Sequence, residues 1–127
     1  MKVSEIQIGD YVNYRGQIIK VTSLYDKGGS NEVGWSDKES VWVNAINVEP
    51  IPLTPEILEK NGFRKRPHQD NSWVNDESDA RYVCFSIGEA LNLWGGCDQD
   101  YVWVTVQYVH QFQHALRLCG IDKEIKL

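Results

Sequence analysis

The sequence predicts an α+β fold, mainly antiparallel β, and three observations carry that reading. Short β-rich runs separated by turn residues crowd the first fifty positions. Residues 51–63 carry a complete set of start and stop signals for a short helix. Residues 107–119 repeat apolar side chains at helical spacing. Five Trp, six Tyr and three Phe among 127 residues add to the bias toward strands.

At the N-terminal end, residues 10–14 (DYVNY) and 17–25 (QIIKVTSLY) form β-rich runs. Arg15-Gly16 between them reads as a tight turn. Residues 26–31 (DKGGSN) read as a flexible loop, 32–35 as a short strand, 36–39 as a turn and 41–48 as another strand. Within 41–48, period-2 alternation puts Val41, Val43 and Ala45 on one face. Trp42, Asn44, Ile46 and Val48 fall on the other. Several short strands in about fifty residues predict a small, strongly bent sheet or barrel.

The next segment, IPLTPEILEKNGF, is the best punctuated of the chain. Thr54 is a favourable N-cap, and Pro55 falls at the first helical position, where a missing N–H costs nothing. Glu56 suits the helix dipole, and Leu53 and Leu58 occupy the positions of a hydrophobic staple. Gly62 followed by Phe63 reads as a Schellman stop. A short helix over 55–61 follows.

Residues 64–79 (RKRPHQDNSWVNDESD) read as a polar connector with a short strand around Trp73. A strand is expected over 80–87, with Val83, Phe85 and Ile87 on one face. Residues 89–94 fit either strand or helix; strand is preferred because GGCDQD then joins it to 101–106 as a hairpin. A helix over 107–119 has Val109, Phe112, Leu116 and Cys119 as its apolar stripe. Gln107, His110, Gln111, His114 and Arg117 form its polar face. The tail 121–127 is expected to pair at a sheet edge. The chain then reads as one domain: a β subdomain (1–50), a helical connection (51–63), a connector (64–79) and a hairpin layer covered by the last helix (80–127).

Composition narrows the function classes. The net charge is −5. Residues 1–50 hold five basic and seven acidic side chains, for −2; residues 51–72 are at +1 and residues 73–127 at −4. An acidic chain gains little from the counterion release that drives general nucleic-acid binding. No run approaches the roughly 18 apolar residues of a membrane span. Glu5 interrupts the place where a signal peptide would begin its apolar run, so a cytoplasmic protein without a membrane partner is expected. Cys84, Cys97 and Cys119 are odd in number and form no CxxC pair, which predicts reduced thiols.

Four groups of residues are candidates for chemistry. His110 and His114 stand four apart, a metal-sharing spacing, but Gln111 replaces the Glu of an HExxH zinc site and cannot take a proton. No metal or other cofactor is expected. Arg64, Lys65 and Arg66, with Pro67-His68, form the only basic cluster; with Trp73 or Tyr14 it would suit a phosphate backbone and a stacked base. The acids at 76, 77 and 79 and at 98 and 100 lack the spacing of a calcium loop. No nucleophile elbow, P-loop or dinucleotide fingerprint occurs, and no enzyme is expected. Exposed aromatics remain. Trp35 and Trp42 are the expected binding surface, because Trp and Tyr dominate interface hot spots.

Two resemblances add to this. The stretch IGDYVNYRGQIIKV, in which a Gly-Asp enters a strand and a Gly turn reverses it, resembles the opening of SH3-like barrels of the KOW type. That implies an SH3-like N-terminal sheet or barrel. The order IGDYVNYRGQIIKV, IPLTPEILEKNGF, YVHQFQ resembles a group of small uncharacterised proteins of gut anaerobes and their phages or mobile elements. The resemblance implies an accessory protein and brings no catalytic residue. The expected function is a non-enzymatic module that meets a protein partner or a second copy of itself. Nucleic-acid association through residues 64–68 is the alternative.

Overall fold

A computed structural model describes residues 1–27, 30–35, 41–65, 72–75, 83–87, 93–97 and 104–127. The fold is mixed α+β, with antiparallel sheets and, among the described residues, two α-helices. The chain divides into two compact units, Met1–Ile51 and Pro52–Leu127.

The first unit carries β1 (Tyr11–Tyr14), β2 (Gln17–Lys20), β3 (Ser23–Lys27), β4 (Ser30–Gly34), β5 (Trp42–Asn44) and β6 (Val48–Glu49). β1 and β2 pair from Tyr11↔Lys20 to Tyr14↔Gln17. The two residues between them, Arg15 and Gly16, both have positive φ, the turn whose twist matches that of the strands. Asp10, which precedes β1, is buried, and its carboxylate accepts from the Gln7 N–H at 2.7 Å. The run 17–25, expected as one strand, leaves its ladder at Val21 and Thr22. There Val21 N–H donates to the Asp10 carbonyl (2.8 Å) and Thr22 N–H to that of Gly34 (2.9 Å). The chain thereby passes from the sheet β2-β1-β6 to the sheet β3-β4-β5. Among the described residues these ladders remain two three-stranded sheets and do not close into a barrel.

Two expectations for this unit are corrected. Asp26, Lys27, Ser30 and Asn31, expected in a loop, lie in strands that pair as far as Lys27↔Ser30. Residues 41–48 are not one strand. Asn44 caps a turn of 3₁₀ helix over Ala45–Asn47, its side chain accepting from Ile46 N–H at 3.0 Å. That turn resets the alternation, so Val48 is buried instead of continuing the exposed side of Trp42. It also carries the chain back to the first sheet, where Val48 pairs with Tyr14. The core of the unit is Ile6, Val12, Ile19, Val21, Val33, Ala45 and Val48, with Leu24, Val43, Tyr14 and Trp35 packed against it.

The second unit opens with α1 (Pro55–Lys60). Thr54 Oγ1 accepts from Ile57 N–H at 3.3 Å, as the N-cap signal requires. At the other end Phe63 N–H donates to the Leu58 carbonyl (2.9 Å) and Gly62 N–H to that of Glu59 (3.1 Å). Those two bonds define a Schellman motif, and Gly62 has φ +84°, which a β-branched residue resists.

A five-stranded antiparallel sheet follows, in the order β11-β10-β9-β8-β7. Its strands are β7 (Arg64–Lys65), β8 (Ser72–Val74), β9 (Val83–Ile87), β10 (Leu93–Cys97) and β11 (Val104–Val106). Arg64 and Lys65, expected in a connector, form its edge strand opposite Val74 and Trp73. Gly95, Gly96 and Cys97, expected in the hairpin turn, belong to β10 and pair with Phe85, Cys84 and Val83. Residues 89–92 and the acids at 76, 77, 79, 98 and 100 lie outside the described residues.

α2 (Val109–Leu118) packs Phe112 against Phe85 of β9 and against Phe63. The three rings meet with centroids 5.2–5.8 Å apart, all tilted or edge-on, the geometry their quadrupoles favour. The tail does not pair at a sheet edge. Buried Asn61 holds it instead: its Oδ1 accepts from Lys126 N–H and its Nδ2 donates to the Lys126 carbonyl, both at 2.7 Å.

Candidate functional site

Register decides which aromatic side chains leave the core of the first unit. In β3-β4-β5 the buried face carries Leu24, Val33 and Val43, which lie opposite one another. The other face therefore carries Ser23, Gly34 and Trp42 in one row and Tyr25, Glu32 and Asn44 in the next. Trp42 is 40% exposed and Tyr25 42%. Their rings meet at 6.1 Å in an edge-on arrangement, although they stand on the two outer strands of the sheet. Gly34 makes that possible. A Cβ there would collide with Ser23 Oγ and come within 3.3 Å of the Val41 carbonyl and 3.4 Å of Trp42 Cε3. The indole thus lies across a position that has no side chain.

Glu32 stands directly opposite Tyr25 and two residues along β4 from Gly34. Direct neighbours have Cβ atoms about 5 Å apart and diagonal ones about 7–8 Å, so Glu32 is a direct neighbour of Tyr25 and a diagonal neighbour of Trp42. Glu32 is half-buried, and among the described residues its side chain takes no hydrogen bond or ion pair. Ile46, on the 3₁₀ turn that follows β5, is 77% exposed.

Trp35, the other tryptophan of the expected surface, is placed differently. It packs against the core, and its ring meets Tyr14 at 5.3 Å. Arg15 lies over the Tyr14 ring at 5.3 Å. Trp35 and Trp42 are therefore not one patch. The partner of Trp42 is Tyr25, which sequence reasoning placed in a β-rich run without assigning it a face. Strand parity alone relates Tyr25 to Ser23, and only the register across β4 relates it to Trp42.

Comparison with family models, curated proteins and solved structures found no match.

The remaining candidates are occupied by structural work. Gln111 Oε1 accepts from the N–H groups of Gln107 (2.8 Å) and Tyr108 (3.1 Å), closing the first turn of α2. His110, expected on a solvated face, is 4% exposed and stacks on Tyr108 at 5.9 Å; its ring meets His114 edge-on at 5.7 Å. A ten-residue helix laid on a sheet buries more than its apolar stripe, and His110 and Gln113 at the stripe's margins go with it. Among the described residues no three His, Cys, Asp or Glu side chains gather around a common point suited to a metal.

Of the basic cluster, Arg64 and Lys65 are exposed on β7, and Arg66 lies outside the described residues. Trp73, the aromatic expected beside them, is 1% exposed and has Lys65 Nζ over its ring at 5.9 Å. It cannot stack a base from there. Cys84 is not in a disulfide, but Cys119 is disulfide-bonded, which corrects the expectation of reduced thiols. An odd count excludes a fully paired set and not a single bridge, since pairing depends on proximity in the fold. The thiol count therefore no longer argues for a reducing compartment. No described helix is long and apolar enough to cross a membrane.

Proposed function

We propose that this protein is a non-enzymatic interaction module whose working surface is the outer face of β3-β4-β5, centred on Trp42 and Tyr25. The observation that carries the reading is an exposed Trp–Tyr ring pair on a sheet face whose opposite side already fills the core. Two half-exposed aromatic side chains on one rigid surface are the material of binding hot spots. They lose little entropy on binding, because strand pairing and the space over Gly34 already hold them.

Strand order and the 3₁₀ turn before β6 support an SH3-like reading of the first unit. If β2 and β3 are taken as one bent strand, the order becomes β6-β1-β2/β3-β4-β5. The fold alone assigns no function; a partner-binding face agrees with the accessory role that the resemblance to mobile-element proteins implies. Nucleic-acid association is the second reading, favoured only by the exposure of Arg64 and Lys65 on an edge strand.

Light scattering over a dilution series and binding to a panel of immobilised peptides test the surface directly. The wild-type chain is expected to associate with itself or with panel members, and Trp42→Ala to lose that association with an unchanged circular dichroism spectrum. Association undiminished in Trp42→Ala would remove the surface from consideration.

A further inference from the structure

We infer that the Tyr25–Glu32–Trp42 surface recognises a cationic side chain, and that its partner is a lysine- or arginine-rich segment of another protein. This rests on the surface proposed above and names the chemistry it reads.

The argument begins with the rings. Elsewhere among the described residues four aromatic faces are supplied with cations from the chain itself. Arg15 lies over Tyr14, Lys20 over Tyr11, Lys65 over Trp73 and Lys123 over Phe63, each within 5.3–5.9 Å of the ring centroid. Those are distances at which the ring quadrupole attracts a positive charge. Trp42, whose indole is the strongest such acceptor, carries no cation from the described residues, and neither does Tyr25.

The carboxylate makes the site selective. By register Glu32 stands directly across from Tyr25 and one diagonal step from Trp42, and it has no side-chain partner among the described residues. A guest ammonium or guanidinium placed over the indole would lie beside a half-buried carboxylate at the same time. An aliphatic guest would cover the rings but leave Glu32 desolvated and unpaired, which is unfavourable. The face therefore discriminates between an apolar and a cationic guest.

Net charge decides between a partner and a second copy. The unit that bears the site holds an excess of two acids and the whole chain is at −5. Two copies meeting through this face would bring two Glu32 carboxylates and two acidic surfaces together. A basic segment would instead be attracted at a distance and paired on contact. Lysine and arginine stems add apolar contact with the rings, while their charged ends reach toward the carboxylate.

The test uses the full chain with a short lysine-rich peptide and a glutamine counterpart of equal length, followed by tryptophan fluorescence or calorimetry. The lysine peptide is expected to bind and the glutamine peptide not, with affinity falling as salt rises. Glu32→Gln, which preserves shape, should weaken binding roughly three- to tenfold, and Trp42→Ala at least as much. Glu56→Gln, on α1 and exposed, should leave it unchanged within about twofold, the scale of a screened surface charge. A lysine peptide that binds no better than the glutamine peptide would overturn the inference, as would equal losses in Glu32→Gln and Glu56→Gln. If the lysine peptide fails while Trp42→Ala still abolishes self-association, the surface stands and its cationic partner falls. If Trp42→Ala changes neither, both fall.

Discussion

Among the described residues, two aromatic clusters, one in each unit, have opposite fates. Phe63, Phe85 and Phe112 come from the end of α1, the centre of the five-stranded sheet and the middle of α2. All three are buried. Tyr25 and Trp42 come from two strands of one three-stranded sheet, and both stay open to solvent on its outer face. Ring chemistry alone does not separate the clusters, since an indole is as easily buried as a phenyl ring; Trp73, at 1% exposure, shows it. The difference lies in what the backbone offers each side of the sheet. In the second unit a helix lays its apolar stripe on the sheet and takes Phe85 into the core. In the first unit Leu24, Val33 and Val43 fill the covered side, and strand parity leaves Tyr25 and Trp42 on the other. One cluster holds the fold together, and the other is free for use.

Substitutions that treat the clusters alike should have unlike effects. Phe112→Ala is the most damaging expected change, costing about 3–5 kcal/mol, because it opens a cavity against both other rings. Denaturant melts monitored by circular dichroism would measure it, and a cost below about 1 kcal/mol would mean that the three rings are not the centre of that core. Next comes Asn61→Ala, which leaves the Lys126 N–H and carbonyl without their partner. A loss of about 1–3 kcal/mol is expected, with faster amide exchange at Lys126 as the specific signature. Gly62→Val should cost about 1 kcal/mol or more through strained backbone, its Cβ meeting only the flexible end of Lys123. An unchanged melting temperature would show that the stop of α1 tolerates a β-branched residue.

The exposed cluster should answer in a different currency. Gly34→Ala is expected to lower stability by about 1 kcal/mol, since Ser23 must yield, and to displace the indole of Trp42. A shifted Trp42 emission and weakened peptide binding would report that displacement. Trp42→Ala should lower stability least of all, by about 0.5 kcal/mol or less, while removing association. If it instead costs as much as Phe112→Ala, the two clusters are alike and the contrast between them fails.

Local features of the fold were legible in the sequence wherever the signal and its structural consequence lie within one turn or hairpin. Thr54, Pro55, Gly62 and Phe63 act at α1 as their spacing predicts, because caps and Schellman bonds join residues only a few positions apart. The Arg15-Gly16 turn and the alternation of Val83 and Phe85 followed for the same reason. Strand ends were less legible. Gly95 and Gly96 carry a turn signal, yet they continue β10 because β9 supplies a partner for each. Arg64 and Lys65 read as a solvated run, yet β8 draws them into an edge strand. The candidate site was half visible: parity in 41–48 singled out Trp42, but neither Tyr25 nor Glu32 is near it in sequence.

By itself, the sequence determined the class of fold, the helix boundaries to within a residue or two, and the outward side of β5. Those properties rest on short-range bonds and on strand parity, which a linear chain encodes directly. Only the tertiary structure decided that Val48 turns inward after the 3₁₀ turn and that Trp35 joins Tyr14 against the core. It likewise decided that His110 is buried under Tyr108 and that Cys119 is bridged. Above all, the register across β4 set Glu32 across from Tyr25 and diagonal to Trp42, with Gly34 leaving room for the indole. Each of these depends on which strand or helix arrives beside a residue. That is settled by packing over the whole chain, so no local pattern carries it.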